Sequence, residues 1–235
     1  MDKFYGIIKG GKHSYNDFGL KIISRELNPP SKNKVKETIP FMNGSYDFSS
    51  LYGENTYGER KIKYVFDFRY NNKIEFISKK IAITNWLNSG FKEPLYDDLI
   101  PGYYFIAECE DSIDFSEGYI DCEVAVTFTA YPFKICNVYE GDIAWDDFNF
   151  ELDVLQETKF DINGVKNVKI HNAGATNIVP EVICSSSMEV IKNGITYIFN
   201  VGNSKNYMFE LSMGENNITI KGNGTIEFKF RKEVL

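Results

Sequence analysis

The stretch KIKYVFDF at residues 61–68 decides the fold class, because large apolar side chains occupy every second position. In an extended chain, successive side chains point to opposite faces. One face then carries only apolar and aromatic residues, namely Ile62, Tyr64, Phe66 and Phe68. The stretch therefore predicts a β-strand with one face in a hydrophobic core.

The same period of two returns further along the chain. Residues 120–128 place five apolar side chains on one face, namely Ile120, Cys122, Val124, Val126 and Phe128. Residues 225–231 place three on one face, namely Ile226, Phe228 and Phe230. Phe, Tyr and Trp make up 15% of the chain, and aromatic side chains favour strands. We therefore predict a mainly β protein.

One helix is predicted at residues 73–88. Asn72 and Glu75 have the spacing of a capping box, in which an N-cap side chain and a Glu three residues later hold the first turn. Gly90 follows as the expected C-cap. Apolar residues at helical spacing predict the side that packs on the N-terminal sheet, namely Ile74, Ile77, Ile81, Ala82, Trp86 and Leu87.

The chain changes character near residues 134–140, which predicts two domains, at residues 1–136 and 137–235. The second half has short strand-like runs separated by turn signals, a pattern typical of a β-sandwich. Its predicted hairpin turns are Asn163–Gly164, Asn193–Gly194 and Gly222–Gly224. In the first half, residues 24–36 and 44–58 predict long polar loops, which either contact neighbouring subunits or are merely mobile.

Charge and motif content argue against several function classes. The net charge of −7 without a long basic run excludes specific nucleic-acid binding as the expected role. No stretch approaches the ~18 apolar residues of a membrane span, so we expect no membrane partner. The four cysteines and two histidines form no close pairs of the kind that bind zinc, and no nucleophile motif occurs. Cys122 and Cys136 are predicted to be buried thiols. We expect no catalytic residue, no metal and no cofactor.

Several short motifs, taken in order, resemble the distal tail proteins of siphophages. In the first half these are HSYNDFGL at 13–20, GSYDF at 44–48, YGERKI at 57–62 and PGYY at 101–104. In the second half they are NAG at 172–174, MGEN at 213–216 and GNGTI at 222–226. The order and spacing of the motifs carry the resemblance, which covers nearly the whole chain. Related baseplate-hub components share this pattern.

The resemblance implies a structural virion protein of the phage tail tip, assembled in the host cytoplasm. It implies an N-terminal β-rich domain with one helix that forms a hexameric ring around a DNA channel, and an outward galectin-like β-sandwich. In some relatives the final strand, here residues 225–235, returns to the first domain. The implied partners are the tail-tube protein, the tail-associated hub protein and receptor-binding proteins. We also expect the acidic excess to line part of the channel, so that DNA does not adhere.

Two other functions stay open. The chain is alternatively a carbohydrate-binding β-sandwich protein, such as an adhesin for host cell-wall glycans. In that case Trp145, Tyr197 and Tyr207 are candidates for stacking on a sugar ring, although a place in the core is the competing role for each. The third reading is a hydrolase with an unrecognised carboxylate pair, since 33 Asp and Glu residues always offer some pair of suitable spacing.

Overall fold

The structure is a computed structural model that describes residues 5–49, 51, 53, 55–142, 149, 151 and 153–235. The described residues are mainly β, as predicted, with eighteen strands and two helices. They divide into two compact units, one within residues 1–134 together with Leu235, and one at residues 135–234. This division lies two residues from the predicted one between 136 and 137.

The first unit is built on an antiparallel sheet whose strands differ in length. Its strands are β1 (Ile7–Lys9), β2 (Lys12–His13), β3 (Lys21–Leu27), β4 (Lys36–Glu37), β5 (Tyr46–Asp47), β6 (Arg60–Arg69), β7 (Glu93–Asp97), β8 (Tyr103–Glu108), β9 (Asp114–Glu117) and β10 (Asp121–Ala130). The order in the sheet is β2-β1-β7-β8-β10-β6-β3, and β9 pairs with β10. β4 and β5 pair with each other outside this sheet.

The KIKYVFDF stretch lies at the centre of the first core, as predicted. It forms most of β6, which pairs with β10 over ten consecutive positions. The alternating residues of both strands are buried, namely Ile62, Tyr64, Phe66, Phe68, Cys122, Val124, Val126 and Phe128. The prediction was wrong for Ile120, which is half exposed because it lies in the turn before β10 begins.

Two helices accompany this sheet. α2 (Lys73–Leu87) matches the predicted helix, and the Asn72 side chain accepts a hydrogen bond from the Glu75 backbone N–H at 2.9 Å. The helix ends on Asn88, and not on Gly90 as predicted. α1 (Ser14–Phe18) is a second, five-residue helix that is too short to produce a periodic pattern. No helix among the described residues has the length and hydropathy to cross a membrane.

The predicted core side of α2 was partly wrong. Phe76, Ile83, Trp86 and Leu87 are buried, whereas Ile74, Ile77, Ile81 and Ala82 are exposed. At 3.6 residues per turn the three isoleucines lie about 100° to 160° round the helix from Phe76. Apolar residues surround most of this helix, so periodicity alone could not select the buried side. Aromatic stacking on Phe68 and Tyr70 fixes Phe76 against the sheet.

The second unit is a separate antiparallel assembly with its own core. Its strands are β11 (Lys134–Cys136), β12 (Lys159–Asn172), β13 (Glu181–Cys184), β14 (Met188–Lys192), β15 (Ile195–Phe199), β16 (Gly202–Lys205), β17 (Gly214–Lys229) and β18 (Glu233–Val234). Six of these strands form one sheet in the order β15-β14-β17-β13-β16, with β12 paired to β17, and β11 and β18 pair with each other outside this sheet. Ile226, Phe228 and Phe230 are buried, as predicted.

One of the three predicted hairpin turns is confirmed. Asn193 and Gly194 join β14 to β15 with φ angles of 53° and 79°, which suit a tight hairpin. The other two predictions were wrong, because residues 163–164 and 222–224 lie inside the long strands β12 and β17, paired with each other. Residues 225–229 also belong to β17, and Leu235 alone of the last residues is grouped with the first unit.

Candidate functional site

The predicted sugar-stacking residues lie in different surroundings. Trp145 lies outside the described residues. Tyr197 is partly buried at the margin of the second core, with its ring 5.1 Å from that of Phe209 in an edge-to-face arrangement. Tyr207 is 74% exposed, and the Lys205 ammonium lies 5.7 Å from its ring centre. Tyr207 is therefore the one described member of the set that a ligand can reach freely.

Tyr207 borders an open groove in the second unit. The groove is lined by apolar and amide side chains, namely Ile198, Phe199, Asn200, Ser204, Lys205, Asn206, Tyr207 and Met208. The Asn206 carboxamide oxygen accepts a hydrogen bond from the Met208 backbone N–H at 3.0 Å, which orders the turn. An exposed aromatic ring beside amide groups is suited to contact a polar ring-shaped ligand.

The two histidines take part in hydrogen bonds that stabilise the local structure around them. His13 caps α1, since its Nδ1 accepts hydrogen bonds from the backbone N–H groups of Tyr15 and Asn16. Its Nε2 lies 3.0 Å from Asp98 Oδ2. His171 is a residue of β12 whose backbone N–H donates to Gln156 Oε1. Within the described ranges, no group of His, Cys, Asp and Glu is arranged to hold a metal ion.

The cysteines are free thiols, and three of the four are buried. The predictions for Cys122 and Cys136 are confirmed in this respect, and Cys184 behaves in the same way. Burial raises the pKa of each of these three thiols, which keeps them in the unreactive protonated form.

Each unit contains a buried ion pair with a structural role. The Lys9 ammonium is 1% exposed and donates to Glu93 and to the Ser89 carbonyl. In the second unit Lys232 and Asp153 form a similar buried pair. Such pairs keep buried ionic groups satisfied. Glu140, which is 2% exposed, accepts from Gln156 Nε2 at 3.0 Å, and burial raises the pKa of its carboxyl group.

The most unusual surface is an arm in the first unit, defined as residues 28–59. None of its described residues is buried. Its two sides are held together by backbone hydrogen bonds from Gly58 to Ser31 and from Phe48 to Val35, and by the pairing of β4 with β5. Among its described residues, the arm therefore contains a short two-stranded ribbon.

The register of the arm determines which of its residues share a face. Val35 is opposite Phe48, and Glu37 is opposite Tyr46. Since alternate residues share a face, three apolar side chains lie together on one face, namely Val35, Tyr46 and Phe48, and Glu37 shares this face. The opposite face carries Lys34, Lys36 and Asp47, with Lys34 and Asp47 joined as an ion pair at 3.1 Å. The Ser49 and Lys34 hydrogen bonds lower the pKa of Asp47.

A second apolar surface of the first unit is the α2 face, defined as Ile74, Ile77 and Ile81. Their side chains are 80%, 49% and 57% exposed. α2 lies beside β9, because Lys73 bonds Glu117 and the Lys80 ammonium is 4.8 Å from the ring centre of Phe115. Exposed apolar patches on this scale are typical of interaction surfaces. The sequence predicted most of the arm only as two loops, at residues 24–36 and 44–58, that either contact neighbouring subunits or are merely mobile. It predicted the α2 face as part of the core.

The comparisons with known proteins agree with this architecture. Residues 8–129 match the family described as phage tail protein, RIFT-related domain. The fold is similar to the crystal structure of the Dit protein of phage SPP1, described as a paradigm of the hub adsorption apparatus in phages that infect Gram-positive bacteria. The two chains are 13% identical, with 99% of this chain and 100% of the other covered and a TM-score of 0.70. No curated protein sequence matches the chain.

Proposed function

The chain belongs to the phage tail protein family whose RIFT-related domain matches residues 8–129, and from this we propose that it forms a hexameric ring at the distal end of a phage tail. In this role it joins the tail tube to the baseplate or tail-tip hub and leaves a channel for DNA. The role is structural, in the virion tail, and the ring assembles in the host cytoplasm.

One observation carries the proposal. The likeness to the SPP1 Dit fold extends over 99% of this chain. Both units therefore have a counterpart in that structure, and the likeness is not confined to residues 8–129. The likeness in fold supports an equivalent place in the tail. On this basis the tail-tube protein lies on one side of the ring and the tail-associated hub protein on the other, and receptor-binding proteins dock on the second unit, which we expect to be galectin-like.

The first unit has the features that a closed ring requires. A head-to-tail interface needs two different surfaces on each subunit, and the arm and the α2 face are two such surfaces. The edge strand β3 offers a further place for pairing, since in the described residues it is bonded to β6 on one side only. Edge strands that pair across an interface are protected from uncontrolled association.

Negative-stain imaging of the purified full chain tests the ring. We expect six-fold symmetric particles with a central opening. Images of compact single subunits, or of rings without an opening, would contradict the proposal.

We further propose that acidic side chains line part of the channel. The chain has a net charge of −7, and like charges keep a polyanion from adhering to the wall. Purified rings should therefore fail to retain double-stranded DNA even at low salt. Retention that weakens steeply as salt is added would indicate a basic lumen and would overturn this part of the proposal.

A second candidate function is carbohydrate binding by the second unit. The observation that favours it is the exposed Tyr207 ring beside the amide side chains of Asn200 and Asn206. Binding of the full chain to cell-wall glycans, lost in Tyr207→Ala and retained in Tyr119→Ala, would support this function. Tyr119 is the matched control because it is 96% exposed and lies in the first unit.

A further inference from the structure

We propose that Arg60 and Lys134 form a binding site for one oxyanion, such as phosphate or a carboxylate. Both residues belong to the first unit. Arg60 begins β6, where it lies opposite Ala130 of β10, and Lys134 follows Ala130 closely in the chain. The inference concerns a single copy of the chain and does not depend on the proposed ring.

Arg60 is a buried cation without a carboxylate partner among the described residues. It is 4% exposed, and its Cζ atom lies 5.3 Å from the ring centre of Phe105. Its Nε donates to the Asn28 carbonyl at 3.1 Å, whereas its Nη1 is buried without an acceptor in that part of the chain. Glu59, the preceding residue, pairs with Lys92 instead. A buried polar atom without a partner calls for an explanation, and a bound ion is one that native proteins commonly supply.

The other buried cations show what Arg60 lacks. Within the described ranges, Lys9 and Lys232 each donate to a carboxylate, and Lys192 donates to a carbonyl and to a hydroxyl oxygen. Burial lowers the pKa of Arg60, but a guanidinium group keeps its proton in proteins. Its charge therefore cannot be removed by deprotonation, and a buried charge without a counter-ion is costly.

Lys134 adds a second positive charge at this place. Its side chain is only partly buried, so the pair of cations can be reached from solvent. The charge of Arg60 adds to burial in lowering the pKa of the Lys134 ammonium group, and a like charge acts in this way at short range. One oxyanion would offset both charges, and the planar guanidinium group matches the oxygen atoms of a phosphate or a carboxylate.

The site lies at the base of the arm. Arg60 directly follows the last residue of the arm, and the Asn28 carbonyl that it holds belongs to the first. The guanidinium group thus joins the two ends of the arm. An oxyanion bound to Arg60 would fix the side chain that makes this connection.

Thermal unfolding of the full chain tests the site, with inorganic phosphate and acetate as probes and chloride as the reference. The three salts are compared at one pH and at equal ionic strength. Phosphate should raise the unfolding temperature by at least about 2 °C. The rise should level off with concentration as the site fills, whereas the general stabilisation by excluded salts grows steadily. An equal rise in acetate would extend the site to carboxylates, and a rise in phosphate alone would assign it to phosphate groups.

The variant Lys134→Glu supplies an oxyanion from the chain itself. In chloride it should unfold at no lower temperature than the wild type, because the new carboxylate offsets the charge of Arg60. Its response to phosphate should disappear. Lys221→Glu makes the same change of charge at an exposed position of the second unit, and this control should keep the full response.

Three results would overturn the site. They are a wild type with the same unfolding temperature in all three salts, a rise in phosphate that never levels off, and a Lys134→Glu variant that responds to phosphate as the wild type does. None of them bears on the proposed ring, which concerns contacts between copies and is tested by the shape and mass of the particle.

Discussion

Gly164 of β12 lies directly opposite Gly222 of β17, in the middle of an antiparallel ribbon fourteen residue pairs long. Both glycines have positive φ, of 82° and 149°, and Gly224 has a φ of 131°. β17 pairs with β14 before this point and with β13 after it. The glycines therefore lie where the long strand passes from one neighbour to the other, and they allow the ribbon to bend there.

Gly222→Ala should destabilise the second unit by about 2–4 kcal/mol, from backbone strain and steric conflict together. An added Cβ would lie 2.9 Å from Met188 Cγ and 3.4 Å from the Ser187 carbonyl oxygen. Gly164→Ala is the matched control, because its φ is also positive but nothing lies within 4 Å of the added atom. It should cost about 1–2 kcal/mol. Denaturant unfolding of both variants measures the difference, and equal losses would refute the close approach of β14.

Asn172 should be essential for the turn that follows β12. Its side chain is 1% exposed, donates to the carbonyls of Thr176 and Leu211, and accepts from the Gly174 N–H. Asn172→Leu leaves these backbone groups unsatisfied and should cost about 3 kcal/mol. Asn217→Leu, at an exposed position of β17, should change stability by less than about 0.5 kcal/mol. A loss of similar size in both variants would show that the buried network is unimportant.

Glu140 should make the folded state less stable as pH rises. Burial raises the pKa of its carboxyl group above the ordinary value of 4.5, against the opposing effects of Gln156 and Lys232. The folded chain therefore holds this proton more tightly than the unfolded chain. The resulting stability is complete below pH 4.5 and is lost as pH rises through the folded-state pKa.

Glu140→Gln removes this dependence, because a glutamine stays neutral and its oxygen still accepts from Gln156. Thermal unfolding should be measured between about pH 4 and about pH 8. The unfolding temperature of the variant should rise relative to that of the wild type as pH increases. Glu189→Gln, on the exposed side of β14, is the control and should follow the wild-type profile. If the unfolding temperature of the wild type instead rose relative to that of the Glu140→Gln variant with increasing pH, folding would lower the pKa of Glu140 and the prediction would be wrong.

Local patterns predicted those parts of the fold that local physics determines. Period two identified β6, β10 and the end of β17, since a half-buried strand must alternate. Asn72 and Glu75 located the first turn of α2, because the hydrogen bonds of a helix N-cap join residues that are close in sequence. The ordered motifs led to the phage tail family, which the match to residues 8–129 confirms.

The remaining features depend on contacts that sequence patterns do not record. Gly222–Gly224 resembles a turn, because positive φ is common to turns and to strands that bend against a neighbour. The exposed isoleucines of α2 have the spacing of a buried helix face. Phe76 is buried instead, because its ring packs against Phe68 and Tyr70. The arm was predicted only as two loops, since the register that gathers Val35, Tyr46 and Phe48 on one face is not visible in composition.

The mass of the particle that the full chain forms in solution tests the central claim most directly. Six copies of the 27.0 kDa chain should give a particle of about 162 kDa, measured by native mass spectrometry or light scattering. The proposed ring predicts this species at high protein concentration and no larger series. A stable dimer, or an open-ended series of growing oligomers, would contradict a closed ring of six.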